Sequence, residues 1–207
     1  MKTFIVFISG IAVASTLFIF TAYTEPDSTS DKGTTRTTYR PNRSADKPFQ
    51  KIYAPPIPEK IEFAGEEMPQ DKFDAFERFD RELLNICFSH ATTMNSMKLA
   101  GRYFPTIEPI LKKNGVPDDI KYLAVTESNL RNATSPAGAK GIWQFMPETA
   151  RSYGLEVSDE IDERYHLEKV TEAACKLLSK TQKDFNSWTL AAAGYNMGPA
   201  GVRRTMT

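Results

Sequence analysis

The stretch PDDIKYLAVTESNLRNATSPAGAKGIWQFMP, residues 117–147, decides how this chain folds. Pro117 suits the first position of a helix, and the acidic pair Asp118 and Asp119 suits the positive end of a helix dipole. Ile120, Leu123 and Ala124 then mark one apolar face, and three residues further along that face stands Glu127. A carboxyl group is therefore aimed inward near a helix C-terminus. Burial disfavours its charged form and the negative end of the dipole does the same, so both push its pKa up. A carboxyl that keeps its proton at neutral pH is what a general acid requires. Periodicity alone equally admits a partly exposed Glu at a frayed helix end, or one paired with Arg131. After the helix, Ser135 to Gly141 is rich in Gly, Ala and Pro and reads as a loop or tight hairpin.

Outward from this centre the pattern is helical. Asp71 is placed to cap a helix carrying the apolar stripe Phe73, Phe76, Phe79, Leu83 and Leu84. A second amphipathic stretch runs from about Ala91 to Tyr103 and a third from about Thr106 to Lys113, where Asn114 and Gly115 stop it. Leu167, Val170, Ala174, Leu177, Leu178 and Phe185 mark a long helix. Asn186 or Ser187 can cap the next, from Trp188 to about Tyr195. There is no internal repeat and no sustained strand alternation, so the fold class expected is mostly α.

The N-terminal part reads differently. From Phe4 to Phe20 the chain is apolar and uncharged after Lys2, which reads as an export signal, so residues 1–22 are expected to be a signal peptide or an N-terminal membrane anchor engaging membrane or export machinery. No Cys follows the run to take a lipid. Residues 23–58 shift to Thr, Ser, Asp, Lys, Arg and Pro and read as a disordered linker. The protein is then expected to be exported, to the periplasm or cell envelope. One folded domain follows, divided into an N-terminal helical part over residues 59–114 and a core over 115–207.

Composition narrows the function. The 207 residues are 41% hydrophobic and 25% charged, an ordinary folded composition. Lys plus Arg number 26 against 26 Asp plus Glu, which leaves no basic footprint for a phosphate backbone, so no nucleic acid partner is expected. Two Cys and two distant His, His90 and His166, do not make a zinc site, and neither a metal nor an organic cofactor is expected. Cys87 and Cys175 each sit among apolar residues at helical spacing and read as unpaired core thiols.

Three blocks change the weight given to Glu127. Glu127 and Ser128, then SPAGAKGIWQFMP from Ser135, then YNMGPAGV from Tyr195, occur in the order found in the lytic transglycosylases of bacterial cell walls, and the chain resembles that family over roughly Gly115 to Val202. Among its members the membrane-bound lytic murein transglycosylase D type is most similar. The resemblance implies a lysozyme-like, goose-type helical domain with a small loop or hairpin region lining a glycan cleft. It implies that Glu127 protonates the β-1,4 glycosidic oxygen between N-acetylmuramic acid and N-acetylglucosamine in peptidoglycan. The C6 hydroxyl of the muramic acid would then attack, assisted by the 2-acetamido group, to give a 1,6-anhydro end.

Other positions carry over as substrate-binding or acid-supporting residues: Ser128, Ser135, Gly138, Gln144, Met146, Tyr195 and Asn196. Tyr195 would hydrogen-bond the acid, and Ser128 would orient it. Gln144 would offer a donor and an acceptor to sugar groups, and Gly138 and Gly141 would let backbone approach the ligand. A second, motif-linked carboxylate is not found; Asp159 to Glu163 reads as a solvated turn. Two departures from the family pattern stand out. Gly194 occupies a position where the family usually has Ala, and the sequence stops at Thr207, before the helical segment and the closing motif with Glu, Thr and Tyr that family domains usually carry. The core is accordingly expected to lack its C-terminal end. Two alternatives remain at this point: a lysozyme-type muramidase that delivers water, and a truncated, non-catalytic peptidoglycan-binding protein.

Overall fold

The 24-residue helix α2, His90–Lys113, and the 19-residue helix α5, Leu167–Phe185, form the spine on which the rest is arranged. The computed structural model describes Tyr53–Met206; the apolar run at residues 1–22 and the linker up to residue 52 lie outside the described residues. Tyr53 to Pro58 carries no helix or strand. A two-residue antiparallel ribbon, β1 (Glu62–Phe63) and β2 (Glu66–Glu67), precedes helix α1 (Phe73–Phe88) and α2. A 3-10 turn at Asp118–Ile120 leads into α3 (Lys121–Ser128), a loop follows to α4 (Pro147–Ser152), and a second 3-10 turn at Glu163–Tyr165 leads into α5 and then α6 (Trp188–Met206). From Pro55 onward the described residues form one compact unit, so both parts of the expected domain share a single body. Among the described residues no helix is long and apolar enough to cross a membrane.

The core gathers around α5. Val170, Ala173, Ala174, Cys175 and Leu178 meet Ile107 and Leu111 of α2, Ala191 of α6, and Ile120 and Ala124 from the entry to α3. Trp143 is fully buried among them, and its indole N–H donates to Thr171 Oγ1 at 3.0 Å while that hydroxyl donates to the Leu167 carbonyl at 2.7 Å. The polar atoms of a large buried aromatic are thus satisfied, and its burial is worth about 2–3 kcal/mol.

Several local expectations change. The stretches 91–103 and 106–113 are one helix, not two, although Pro105 and Pro109 lie inside it. Both prolines are on the exposed side, so the carbonyls that lose a partner turn to water, while Ile107 and Leu111 anchor the other side in the core. Asp71 does not cap α1; Lys72 holds that position without a side-chain cap, and the Asp71 carboxylate pairs with Lys72 Nζ at 2.9 Å. The stripe on α1 is only half covered: Phe76, Phe79, Leu83 and Leu84 are half-buried and Phe73 is 77% exposed. Cys87, on the same helix, is exposed rather than a core thiol, whereas Cys175 is buried. Asn186 ends α5 in the left-handed conformation, and Ser187 caps α6 by accepting from the Leu190 N–H at 3.1 Å. The helix begun at Trp188 does not stop at Tyr195 but runs to Met206, broken at Gly198 (φ 74°).

Gly194 has a packing reason. It is buried where α6 meets α5, and a Cβ there would stand 2.8 Å from Thr181 Cγ2. Ala in a helix ordinarily gains up to about 1 kcal/mol over Gly. Here the clash outweighs that gain, so Gly194→Ala is expected to lower stability by about 1–2 kcal/mol in urea unfolding. Adding Thr181→Ser, which removes Cγ2 and keeps the hydroxyl bond to the Leu177 carbonyl (3.0 Å), is expected to recover most of the loss. A Gly194→Ala variant more stable than the parent would refute the close contact.

Candidate active site

Glu127 sits on the last turn of α3, on the side continued from Ile120 and Ala124, both of which are fully buried. The helix ends at once: Asn129 takes a left-handed conformation (φ 51°) and so does Leu130 (φ 58°), which is fully buried. Two successive non-glycine residues in that region store strain, of order 1–3 kcal/mol each, which the core must over-determine. Burying Leu130 does this, and the sharp reversal leaves Glu127 at the edge of the core rather than on a continuing helix. Arg131 does not pair with Glu127; its Nε approaches the Ser128 carbonyl at 3.5 Å.

Oε1 of Glu127 is buried and has no hydrogen-bond partner. Burial pushes the carboxyl up to about 7, and the only opposing influence is the side-chain amide of Asn196, which favours the charged form. Among the described residues no second carboxylate acts on it. The phenol of Tyr195 is held well above its ordinary range, first by burial and then by the neighbouring Glu127 charge, so it remains a donor.

The loop after α3 is pinned against this acid by its own carbonyls. Ser128 Oγ donates to the Ile142 carbonyl at 2.8 Å, and Tyr195 Oη donates to the Trp143 carbonyl at 2.6 Å. Tyr195 also packs edge-on against Phe145, with ring centroids 5.9 Å apart. The family pattern implied a bond from this hydroxyl to the acid; here it goes to the loop instead. Antiparallel bridges Thr134 to Lys140 and Lys140 to Phe145 make the stretch a small hairpin. Ser135 closes its tip: its hydroxyl accepts from the Ala139 N–H at 3.0 Å, and its carbonyl accepts from Gly138 at 2.9 Å. Gly138 (φ 88°) supplies the backbone that turn needs.

Gln144 is the third strained residue of the site, at φ 49°. Its Nε2 donates to the carbonyls of Ala133 (3.0 Å) and Gly141 (2.8 Å), which consumes the amide donors. Met146 is 42% exposed and Asn196 is exposed, so the site meets solvent there. Glu127, Ser128, Tyr195 and Asn196 are therefore brought together directly. Gln144 and Met146 come with the loop, and Ser135 and Gly138 shape its tip.

Periodicity did not reveal the paired αL residues after Ser128, nor the use of the Ile142 and Trp143 carbonyls as acceptors. The signal available for the first was the Asn-Leu pair ending an apolar helix; backbone acceptors leave no signature in residue type. Asp162 also departs from the solvated turn expected for 159–163: Asp159 and Glu160 are exposed, but Asp162 is only 17% exposed and pairs with Lys140 and Arg164. Among the described residues, no group of three or more His, Cys, Asp and Glu side chains is placed to hold a metal ion.

This geometry coincides with a known domain. The family model for the transglycosylase SLT domain matches residues 104–207, half of the chain and all of the site. The chain belongs to the transglycosylase SLT family. It is 33% identical over 132 residues to the membrane-bound lytic murein transglycosylase D of Escherichia coli K12, a match covering 63% of this chain and 28% of that protein. The same protein of Escherichia coli O6:H1 matches equally. A putative tributyltin chloride resistance protein of an Alteromonas species is 27% identical over 131 residues, 62% of this chain and 63% of that one. The chain thus spans less than a third of the length of the first two relatives. The mostly helical, lysozyme-like architecture is that of the SLT family.

A buried carboxyl raised from 4.5 to about 7 has a thermodynamic consequence. Below the unfolded value both states are protonated and nothing is lost; as pH rises through the folded value, the native state must carry a buried charge and loses stability. Glu127→Gln is therefore expected to match the parent in urea unfolding at pH 4 and to exceed it by about 2–3 kcal/mol at pH 8.5. Equal stability at both pH values would mean that the carboxyl is hydrated.

Proposed function

We propose that this SLT domain is a peptidoglycan lytic transglycosylase with Glu127 as its one acid and base. What carries the reading is the single partly desolvated carboxyl without a second carboxylate beside it. Two-carboxylate glycosidases need a partner at a defined distance, as a nucleophile or to activate water. An acid working alone suits a substrate that supplies its own nucleophile.

In the proposed reaction, protonated Glu127 gives its proton to the β-1,4 oxygen as the bond from C1 of N-acetylmuramic acid breaks, releasing the N-acetylglucosamine side with a hydroxyl. The acetamido carbonyl of the muramic acid supports the positive charge at C1. The resulting carboxylate takes the proton from the C6 hydroxyl, whose oxygen closes on C1 to give the 1,6-anhydro ring. Glu127 ends protonated, and no water is consumed. Asn196 favours the charged form that exists midway, and burial favours the protonated form at either end. Gln144 Oε1 and the exposed Met146 supply polar and apolar contacts to the sugars. The apolar run at residues 4–20 supports placement in the cell envelope, tethered or exported, where glycan strands are the partner.

The test is digestion of purified peptidoglycan by the full chain, with the muropeptides weighed by mass spectrometry. Products one water lighter than their hydrolytic counterparts are expected, with activity falling as pH rises past about 7. Glu127→Gln is expected to reduce the release to background while the fold persists. Reducing-end products would instead establish a muramidase, and bound but uncut glycan would establish a non-catalytic binding protein.

A further inference from the structure

Arg164 belongs to none of the three motifs, yet it is 3% exposed beneath the loop that carries two of the site residues. Its guanidinium makes four hydrogen bonds. Nε and Nη2 donate to the two carboxylate oxygens of Asp162, at 2.8 and 2.7 Å. Nη1 donates to the Gly138 carbonyl at 2.9 Å and to the Phe145 carbonyl at 3.2 Å. Gly138 lies at the tip of the hairpin and Phe145 at its return, so one planar group ties both to the chain ahead of α5. The backbone of the same residue sets the loop's depth: Gly141 rests on the Arg164 carbonyl so closely that a Cβ there would drive into that oxygen. Between the tied positions lie Ile142 and Trp143, whose carbonyls receive Ser128 and Tyr195.

We propose that Arg164, oriented by Asp162, is a positioning residue for this reaction: its forked hydrogen bonds hold loop 138–145 in the register that packs Ser128 and Tyr195 against Glu127 and carries Gln144 to the glycan. The inference rests on the transglycosylase reading for its catalytic consequence and on the geometry alone for its structural one. A fork is needed because a single point charge cannot address the carboxylate and two divergent carbonyls together. The hydrogen bonds from Arg164 outweigh burial and hold Asp162 down at about 2, and Lys140 adds to them, so the pair stays ionised at every pH at which the protein would work. The groups that act on Glu127 itself are Tyr195 and Asn196 of α6.

The test compares the full chain with Arg164→Lys, which keeps the charge and loses the fork, and with Asp162→Asn, which keeps the shape and releases the guanidinium. Three quantities are read: the Tm, kcat and KM on peptidoglycan, and the pKa of the Glu127 carboxyl from carbon NMR without substrate. Loosening the loop admits water to Oε1. Both variants are therefore expected to move the Glu127 pKa down from about 7 toward 4.5. They are also expected to lower kcat by about tenfold or more, with a smaller change in KM. A fall in Tm with the Glu127 pKa and kcat unchanged would show that the pair merely supports the fold, and would overturn the proposal. If the parent shows the raised pKa, the variants lose it, and no chain cleaves glycan, positioning stands and the proposed reaction falls. Should Arg164→Lys fail to fold, Asp162→Asn decides alone on the same readings.

Discussion

The withdrawal of one carboxyl oxygen from water is the constraint on which the rest of this structure depends. Oε1 of Glu127 lies buried with no donor to satisfy it. Such a group is costly when charged, and a protein retains it only where surrounding packing leaves it no alternative. That packing comes from three sides: the core face of α3 below, the loop carbonyls that fasten Ser128 and Tyr195, and the strained reversal at Asn129 and Leu130 that stops the helix where the acid stands. The fully buried Leu130 offsets the backbone strain beside it, so stability stored in the core maintains a conformation that the local sequence alone would not choose.

Much of this was legible in residue types and spacing. Helices α3 and α5 and the inward side of Glu127 followed from apolar periodicity, and a loop or tight hairpin over 135–141 from its Gly, Ala and Pro content. What escaped was set by tertiary context. The stretches 91–103 and 106–113 were read apart, and the gap between them holds Pro105, whose missing N–H costs little on the water side of a helix anchored by Ile107 and Leu111. The α1 stripe looked like a core face, but a stripe shows only that a helix can bury one side; half of this one remains uncovered among the described residues.

The site shows the same division. The candidate side chains, Glu127 and Asn196 above all, stood out by type and motif. Positions that act through the backbone did not. The carbonyls of Ile142 and Trp143, and the oxygen of Arg164 against Gly141, belong to residues whose side chains reveal nothing about that use. Tyr195 is the instructive mixture. Its motif placed it beside the acid, and its hydroxyl bonds the Trp143 carbonyl, so it fastens the loop.

A carbon NMR titration of the Glu127 side-chain carboxyl in the intact chain tests this account most directly. Burial only partly offset by the Asn196 amide predicts a midpoint near 7, where the ordinary carboxyl has already lost its proton. A midpoint near the ordinary 4.5 would contradict it, because a carboxyl already ionised at neutral pH could not serve as the acid around which the loop and α6 are arranged.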